Sequence, residues 1–182
     1  MSRSDQLTCG CALSAVPIRT GQGVFTAYFT ARGLAGLDFP AAKTKTKAKV
    51  SAPHCSGHLP RLDAWTATTT DALHAVLAGK KPRALPPLDW QGGTEFQQKV
   101  WAQLRAIPLG QTRSYGEIAA AVGSPKGARA VGGACGSNPI PLLVPCHRVL
   151  AGGGRLGGFS GGLDWKKRLL EVEGLGQGFR AD

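Results

Sequence analysis

A proline-rich stretch in the second half of the chain limits the possible backbone conformations more than any other feature. Residues 138–149 contain three prolines, and each one biases the residue before it towards an extended conformation. Residues 142–144 are apolar, which predicts burial. Asn138 opens the stretch, where its side chain can tie backbone groups across a turn. We therefore predict a stiff, buried ribbon that holds Cys146 and His147 in a fixed place.

The adjacent Cys146 and His147 suggest nucleophilic chemistry. A cysteine attacks as its thiolate and needs a lowered pKa or a nearby base. Successive side chains of a strand point to opposite faces, so a direct contact requires a turn or a bridging water. A histidine base also needs a group that orients it, and Glu171 and Glu173 are the candidates. The alternative is a buried cysteine beside an unrelated histidine.

The first half of the chain predicts a small sheet and one helix. Residues 24–29 are rich in β-branched and aromatic side chains and predict a strand. Residues 33–40 predict a turn that leads into a second short strand, which completes a hairpin. Residues 70–79 predict a short helix that ends at its glycine. Residues 81–93 hold three prolines and two glycines and predict a linker at a domain boundary.

The second half predicts several short helices. Residues 94–104 place apolar side chains on one helical face behind a capping box. A second capping box at 114–117 precedes helix formers as far as Val122. After a turn, Pro125 suits the first position of a third helix over residues 126–135. Two short helices joined by a tight turn resemble a helix-turn-helix.

The third of these helices carries mostly small side chains, which allow its backbone to approach another surface closely. That surface is either a neighbouring helix or a DNA groove, and the sequence leaves both open. Arg129 is the long side chain in this segment, so we expect it to project outwards.

A glycine-rich loop follows the Cys-His pair. Glycines 152, 154 and 157 match the dinucleotide-binding pattern G-x-G-x-x-G. We reject that function because the pattern must open a helix, whereas here the loop continues to residue 162. Phe159 offers a face on which a base can stack, and a plain surface turn is the alternative. Residues 164–171 predict a final helix.

Charge and cysteine content restrict the partners and the compartment. The net charge of +11 favours a polyanion such as nucleic acid, or else a merely basic surface. The tract 43–49 alternates lysine with threonine or alanine and predicts a solvated loop, with a DNA-contacting arm as the alternative. Five cysteines and no recognisable signal peptide or membrane segment predict reduced thiols in a cytoplasmic protein.

Taken in order, the motifs resemble the O6-alkylguanine-DNA alkyltransferase family. The resemblance runs from about Thr94 to Gly174, nearly half the chain, and the first third matches only loosely. Its most specific part is Pro-Cys-His-Arg-Val with Asn-Pro upstream. The matching blocks are Phe96-Gln97, Val100-Trp101, residues 114–119, residues 129–132, Asn138-Pro139, residues 145–149, residues 158–162 and the Leu169-Leu170 to Glu173-Gly174 segment.

This resemblance implies both the fold and the function. The fold expected is α/β. A small N-terminal α/β domain with a short antiparallel sheet would occupy residues 1–90. A mostly helical domain with a winged helix-turn-helix-like motif would occupy residues 91–182. The implied function is a single, irreversible transfer of a methyl or other alkyl group from O6-alkylguanine, and from O4-alkylthymine, to the protein. The implied partner is double-stranded DNA bound through its minor groove by a monomer, with no metal, no cofactor and no membrane.

The resemblance also implies a role for each catalytic residue. Cys146 would accept the alkyl group, and His147 would deprotonate it through a bridging water. Glu173 would orient His147, and Asn138 would hold the turn between helix and ribbon. Tyr115 would help to rotate the nucleotide out of the helix and to protonate the departing guanine.

Other residues would bind DNA or the damaged base. Arg129 would fill the gap in the base stack. Ser160 would donate a hydrogen bond to the O6 atom, Phe159 would form a pocket wall, and backbone carbonyls near Cys146 and Val149 would accept the guanine amino group. Two further binding residues are expected at Ala128 and Lys166.

The chain departs from the family pattern at a few positions. At the end of the recognition helix this chain has Cys135-Gly136 where some relatives carry a basic residue. Phe159 stands where some relatives have a tyrosine. Cys9, Cys11, His54, Cys55 and His58 could supply four nitrogen or sulfur ligands to a structural zinc ion, although their spacing matches no established zinc motif. Related proteins that only bind damaged DNA lack the acceptor cysteine, so Cys146 argues against that class. A helix-turn-helix regulator would not need the Cys-His motif.

Overall fold

A three-stranded antiparallel sheet begins the fold in the computed structural model, which describes residues 13–40, 61–90 and 92–176. The strands are β1 (Ser14–Thr20), β2 (Gly23–Thr30) and β3 (Gly33–Asp38), and they pair in the order β1-β2-β3. The predicted hairpin is therefore confirmed. The sequence did not reveal β1, because Pro17 interrupts its strand pattern and is tolerated only on an edge strand. The turn predicted from residue 33 is wrong, since β3 already begins there.

The outer edge of β3 is covered by other parts of the chain. Leu34 donates its backbone N–H to the Pro87 carbonyl (2.8 Å), and Asp89 donates to the Leu34 carbonyl (2.7 Å). Leu37 donates to the Pro139 carbonyl at 2.9 Å. The strand is thus tied both to the predicted linker and to the Asn-Pro segment beside the Cys-His motif.

Helix α1 spans Leu62–Leu77 and begins well before the predicted start at residue 70. Its first half is rich in threonine, which has low helix propensity. Three threonine hydroxyls instead bond to carbonyls four residues earlier, from Thr68 to Ala64, Thr69 to Trp65 and Thr70 to Thr66. Burial of apolar side chains against the core then overrides the weak propensity.

Between residues 92 and 176 the structure has four α-helices and two very short strands. In chain order they are α2 (Glu95–Ala106), β4 (Arg113–Ser114), α3 (Tyr115–Ala121), α4 (Ala128–Gly136), β5 (Val149–Leu150) and α5 (Leu163–Val172). Both predicted capping boxes are confirmed, at Thr94 for α2 and at Ser114 for α3. The predicted start of α4 is wrong. Gly127 caps this helix, and Pro125 lies in the preceding turn.

The segment 138–149 is buried as predicted, but it is not an extended ribbon. It forms successive turns and then a single turn of 3₁₀ helix over Cys146–Arg148. Leu142 adopts a left-handed conformation, with φ of 70°, which is unusual for a residue other than glycine. The prolines therefore build a series of tight turns, because each restricts its predecessor without forcing the whole segment to extend.

One continuous core joins the two halves of the chain. It includes Phe25 and Leu73 from the first half and Val100, Ile140 and Leu169 from the second. On α4, the buried residues face α2 and α3, whereas Arg129 and its neighbours on the other side are exposed. The small side chains of α4 thus serve close helix packing on one face and leave the opposite face open. None of the helices in the described ranges has the length and apolarity needed to span a membrane.

Candidate functional site

Cys146 lies at the start of the 3₁₀ turn with only 3% of its surface exposed. The Asn138 side chain holds it from one side. The amide nitrogen of Asn138 donates both to the Val144 carbonyl (2.8 Å) and to Cys146 Sγ (3.2 Å). The amide oxygen of Asn138 accepts the Ile140 N–H at 3.1 Å. Asn138 therefore fixes both the turn and the thiol.

His147 is fully buried and bonded to Glu173. Its Nε2 lies 2.8 Å from Glu173 Oε1. Because an ionised carboxylate only accepts hydrogen bonds, Nε2 carries the proton and Nδ1 is left with a lone pair. That Nδ1 makes no hydrogen bond to any of the residues that the structure describes. Of the two acidic candidates, Glu173 occupies the orienting position and Glu171 is exposed.

Arg148 completes this group, and no role for it was predicted from the sequence. Its Nε donates to Glu173 Oε2 and its Nη2 to Glu173 Oε1, both at 2.9 Å. Its Nη1 donates to the Ile107 carbonyl at 2.7 Å. The guanidinium thus holds the carboxylate by two bonds and ties it to the end of α2. The only sequence feature that points to a role for Arg148 is its position directly after the Cys-His pair.

The charges of the site follow from burial and from this pairing. Burial raises the pKa of the Cys146 thiol, and the Asn138 hydrogen bond and the Lys166 charge only partly offset the increase. Burial lowers the pKa of His147 despite its bond to Glu173. Burial alone would raise the pKa of Glu173, but hydrogen bonds from His147 and Arg148 lower it to about 2. The resting site is therefore a neutral thiol, a neutral imidazole and a carboxylate.

Lys166 has no exposed surface and braces the glycine-rich loop from inside. Its ammonium donates to the carbonyls of Val149 (2.6 Å), Leu156 and Gly158 (3.4 Å). The expectation that Lys166 binds DNA or substrate is therefore wrong, because its charge is enclosed by backbone. The Val149 carbonyl, expected to accept the guanine amino group, already accepts Lys166, so a guanine contact would need its second lone pair.

A cavity of about 1030 Å³ opens above Cys146. The structure brings most of the expected binding residues to its walls. Tyr115 contributes from the start of α3, where its hydroxyl lies 3.4 Å from the Gly158 carbonyl. Gly157 allows this approach, since a Cβ at that position would lie 3.1 Å from the Tyr115 ring. The other expected residues on the walls are Ala128, Arg129, Phe159 and Ser160, with the unpredicted Cys135 beside them.

The arrangement suits covalent capture of a group carried by a flat molecule. A nucleophile lies at the floor, a histidine with an open acceptor nitrogen is next to it, and aromatic rings line the walls. Within residues 13–40, 61–90 and 92–176, no three His, Cys, Asp or Glu side chains are grouped to hold a metal ion. The cysteines and histidines weighed as zinc ligands, and the tract 43–49, lie outside these ranges.

Comparison with known proteins gives a consistent result. Residues 95–175 match the family model described as 6-O-methylguanine DNA methyltransferase, DNA binding domain. A methylated-DNA–protein-cysteine methyltransferase of Mycobacterium tuberculosis is 52% identical over 103 residues, which is 57% of this chain and 62% of that protein. The matching region thus spans less than two thirds of that relative. A protein of the same name from Mycobacterium leprae is 50% identical over 66% of this chain and 72% of its own length.

A solved structure extends the similarity to most of the chain. The crystal structure of Mycobacterium tuberculosis OGT in complex with DNA has a TM-score of 0.69 and 39% sequence identity. The match covers 86% of this chain and 90% of that one. The likeness therefore extends well beyond residues 95–175.

Proposed function

Because this chain belongs to the methylated-DNA–protein-cysteine methyltransferase family, we propose that it repairs DNA by moving an alkyl group from guanine O6 to Cys146 Sγ. The observation that carries the proposal is the buried thiol beside a histidine that Glu173 anchors through one ring nitrogen. The other nitrogen is left open as a proton acceptor. No other thiol among the described residues has a histidine in this relation.

The first step is loss of the thiol proton. The pKa of Cys146 is raised, so the resting thiol is protonated and needs a base at the moment of reaction. His147 Nδ1 accepts the proton through a bridging water, and Glu173 stabilises the imidazolium that forms. The Asn138 amide, 3.2 Å from Sγ, donates a hydrogen bond that stabilises the thiolate.

The second step is displacement at carbon. The Cys146 sulfur forms a bond to the alkyl carbon while the bond from that carbon to O6 breaks. The electron pair passes into the guanine ring, and the Tyr115 hydroxyl supplies a proton to the leaving base. Ser160, exposed at the cavity rim, donates a hydrogen bond to O6. The product thioether is stable, so each molecule reacts once.

Access to the damaged atom requires base flipping, because O6 lies inside the duplex. In our proposal a monomer places α4 in the minor groove, with Ala128 against the DNA and Arg129 in the space that the flipped nucleotide leaves. Arg129 is exposed and borders the cavity, as that role requires. Phe159 then forms a wall against the flipped base. O4-alkylthymine, which presents a similar ether on a smaller ring, is a second expected substrate.

The test is intact-mass analysis after incubation with a duplex that carries one O6-methylguanine. We expect a gain of about 14 Da with restored guanine in the wild-type protein, and none in Cys146→Ala or Cys146→Ser. Cys135→Ala is the matched control, because Cys135 borders the same cavity and its pKa is raised to about 12, mainly by burial. Tight binding of the damaged DNA with no mass gain would instead indicate a protein that only recognises lesions.

A further inference from the structure

A cluster of four aromatic rings connects the N-terminal sheet to the cavity wall. Phe25 from β2 and Phe39, the residue directly after β3, have centroids 5.7 Å apart. Both contact Trp165 of α5, at 5.7 and 5.1 Å. Phe39 also meets Phe159 edge to face, with centroids 5.7 Å apart and planes at 78°. Phe39 is thus the ring through which the sheet reaches the cavity wall.

Phe159 is held from two sides by this arrangement. On the inner side its ring lies 6.4 Å from the His147 ring, nearly perpendicular to it. On the outer side it rests against Phe39. These two neighbours restrict the positions open to the Phe159 ring, while its remaining surface borders the cavity. The position of Phe159 therefore depends on Phe39.

The backbone near Phe39 and Phe159 also leaves little free space. A Cβ at Gly161 would lie 2.8 Å from Phe39 and 3.0 Å from Phe159, so only glycine fits between them. A Cβ at Gly23 would lie 2.7 Å from Pro40, so the start of β2 packs closely against the residue that follows Phe39. Phe39 itself is only 8% exposed. The sheet thus offers a rigid support.

From this geometry we propose that Phe39 is a positioning residue that determines which alkyl groups the site accepts, by fixing Phe159 as a wall beside Cys146. The proposal rests on the alkyl transfer proposed above. It gives the N-terminal sheet a direct part in substrate selection. Without the Phe39 ring, Phe159 moves outwards, the space beside Cys146 widens, and bulky groups react faster relative to methyl.

The main experiment compares transfer rates for O6-benzylguanine and O6-methylguanine, each in duplex DNA, under single-turnover conditions. For Phe39→Ala we expect the benzyl-to-methyl rate ratio to rise about tenfold, the size of effect typical of a reshaped apolar pocket. Phe39→Tyr keeps the ring and should restore the ratio to within about twofold of wild type. Phe29→Ala is the matched control, since Phe29 is a buried phenylalanine of the same sheet region but lies outside the ring cluster formed by the described residues.

A merely structural role predicts a different result. In that case Phe39→Ala and Phe29→Ala would slow both substrates in proportion and leave the ratio unchanged, which would overturn the proposal. If Phe39→Ala folds poorly, Phe39→Leu provides a milder loss of the ring, and its ratio is judged by the same criterion.

A second measurement does not depend on alkyl transfer from DNA. In a background with Cys9, Cys11, Cys55 and Cys135 replaced by alanine, Cys146 is alkylated with iodoacetamide and with the bulkier N-benzyl iodoacetamide, and the rates are followed by mass. Loss of Phe39 should raise the bulky-to-small ratio. A wild-type protein that fails to take methyl from DNA refutes the proposed function, whereas an unchanged reagent ratio refutes the role of Phe39 alone.

Discussion

Glu173 Oε1 accepts a hydrogen bond from His147 Nε2 at 2.8 Å, and neither side chain has any surface exposed to solvent. This one bond determines that Nε2 carries the proton of the neutral ring and that Nδ1 is the nitrogen able to accept one. Arg148 in turn fixes the carboxylate by two further bonds. The orientation of the base is therefore set before substrate binds.

We expect Glu173→Gln to slow alkyl transfer about 100-fold, a typical loss when general-base catalysis is impaired. The amide cannot stabilise the imidazolium, and it leaves the Arg148 charge without a counter-ion. Glu171→Gln is the control, because that side chain is exposed two residues earlier, and it should react at the wild-type rate. Single-turnover rates on methylated duplex measure both. Equal rates for the two variants would show that Glu173 takes no part in the reaction.

The stability of the protein should fall in acid in two stages. Burial lowers the pKa of His147 below its ordinary 6.5, so below pH 6.5 the unfolded chain takes up a proton that the folded protein does not. The pKa of Glu173 is lowered from 4.5 to about 2, so its contribution is complete above pH 4.5 and is lost between 4.5 and 2. The free energy of unfolding therefore decreases as the pH falls below 6.5.

Urea unfolding at pH 7.5, 5.5 and 3.5 measures both stages. The Glu173 stage should total on the order of 3 kcal/mol by pH 2, and about 1.4 kcal/mol of it should be lost by pH 3.5, because each tenfold difference in proton affinity between the folded and unfolded protein is worth about 1.4 kcal/mol. Glu173→Gln should therefore lose less stability than the wild type between pH 5.5 and 3.5. A free energy of unfolding that is constant from pH 7.5 to 3.5 would contradict the assigned charge states.

Replacing Lys166 with methionine should destabilise the protein by on the order of 3 kcal/mol, because the buried carbonyls of Val149 and Leu156 and the partly buried carbonyl of Gly158 lose their donor. The glycine-rich loop that bears Phe159 should also become more mobile. Lys167→Met is the control, since the neighbouring lysine is exposed. Thermal unfolding and amide hydrogen exchange over residues 152–162 report the two effects. Matching melting temperatures for the two variants would show that the buried ammonium contributes nothing.

Replacing Arg129 with alanine should slow the flipping of the damaged nucleotide without slowing alkyl transfer itself. We expect repair of O6-methylguanine in duplex DNA to slow about tenfold or more, since a few kcal/mol of unstacking must be offset during flipping. Reaction with free O6-benzylguanine, which needs no flipping, should be unchanged. Arg83→Ala removes the same charge from an exposed site that does not border the cavity. If Arg129→Ala slows the free base as much as the duplex, the residue acts within the pocket.

Local sequence rules predicted the parts of the fold that depend on local interactions. The capping boxes at Thr94 and Ser114 involve residues three apart, so their hydrogen bonds can be read from the sequence. The first half of α1 could not be predicted, because packing stabilises it against weak threonine propensity. The start of α4 was misplaced, because Pro125 is as compatible with a turn as with a first helical position.

The sequence predicted most of the residues of the candidate site, but it did not predict how they are arranged in space. Cys146, His147 and Asn138 lie within ten residues of one another, and the motif drew attention to them. The contact that selects Glu173 joins residues 26 positions apart and follows from the way α5 packs. The contact between Phe39 and Phe159 spans two halves that no local pattern connects. Such contacts follow from the tertiary arrangement.

The bonds along the outer edge of β3 have a consequence for self-association. An exposed strand edge offers unpaired N–H and C=O groups on which a second molecule can add a strand, the first step towards aggregation. Here Pro87, Asp89 and Pro139 occupy that edge, and Pro17 interrupts the opposite edge, β1, where it removes a donor. The sheet that supports the cavity wall is thereby also protected at its edges against pairing with a second molecule.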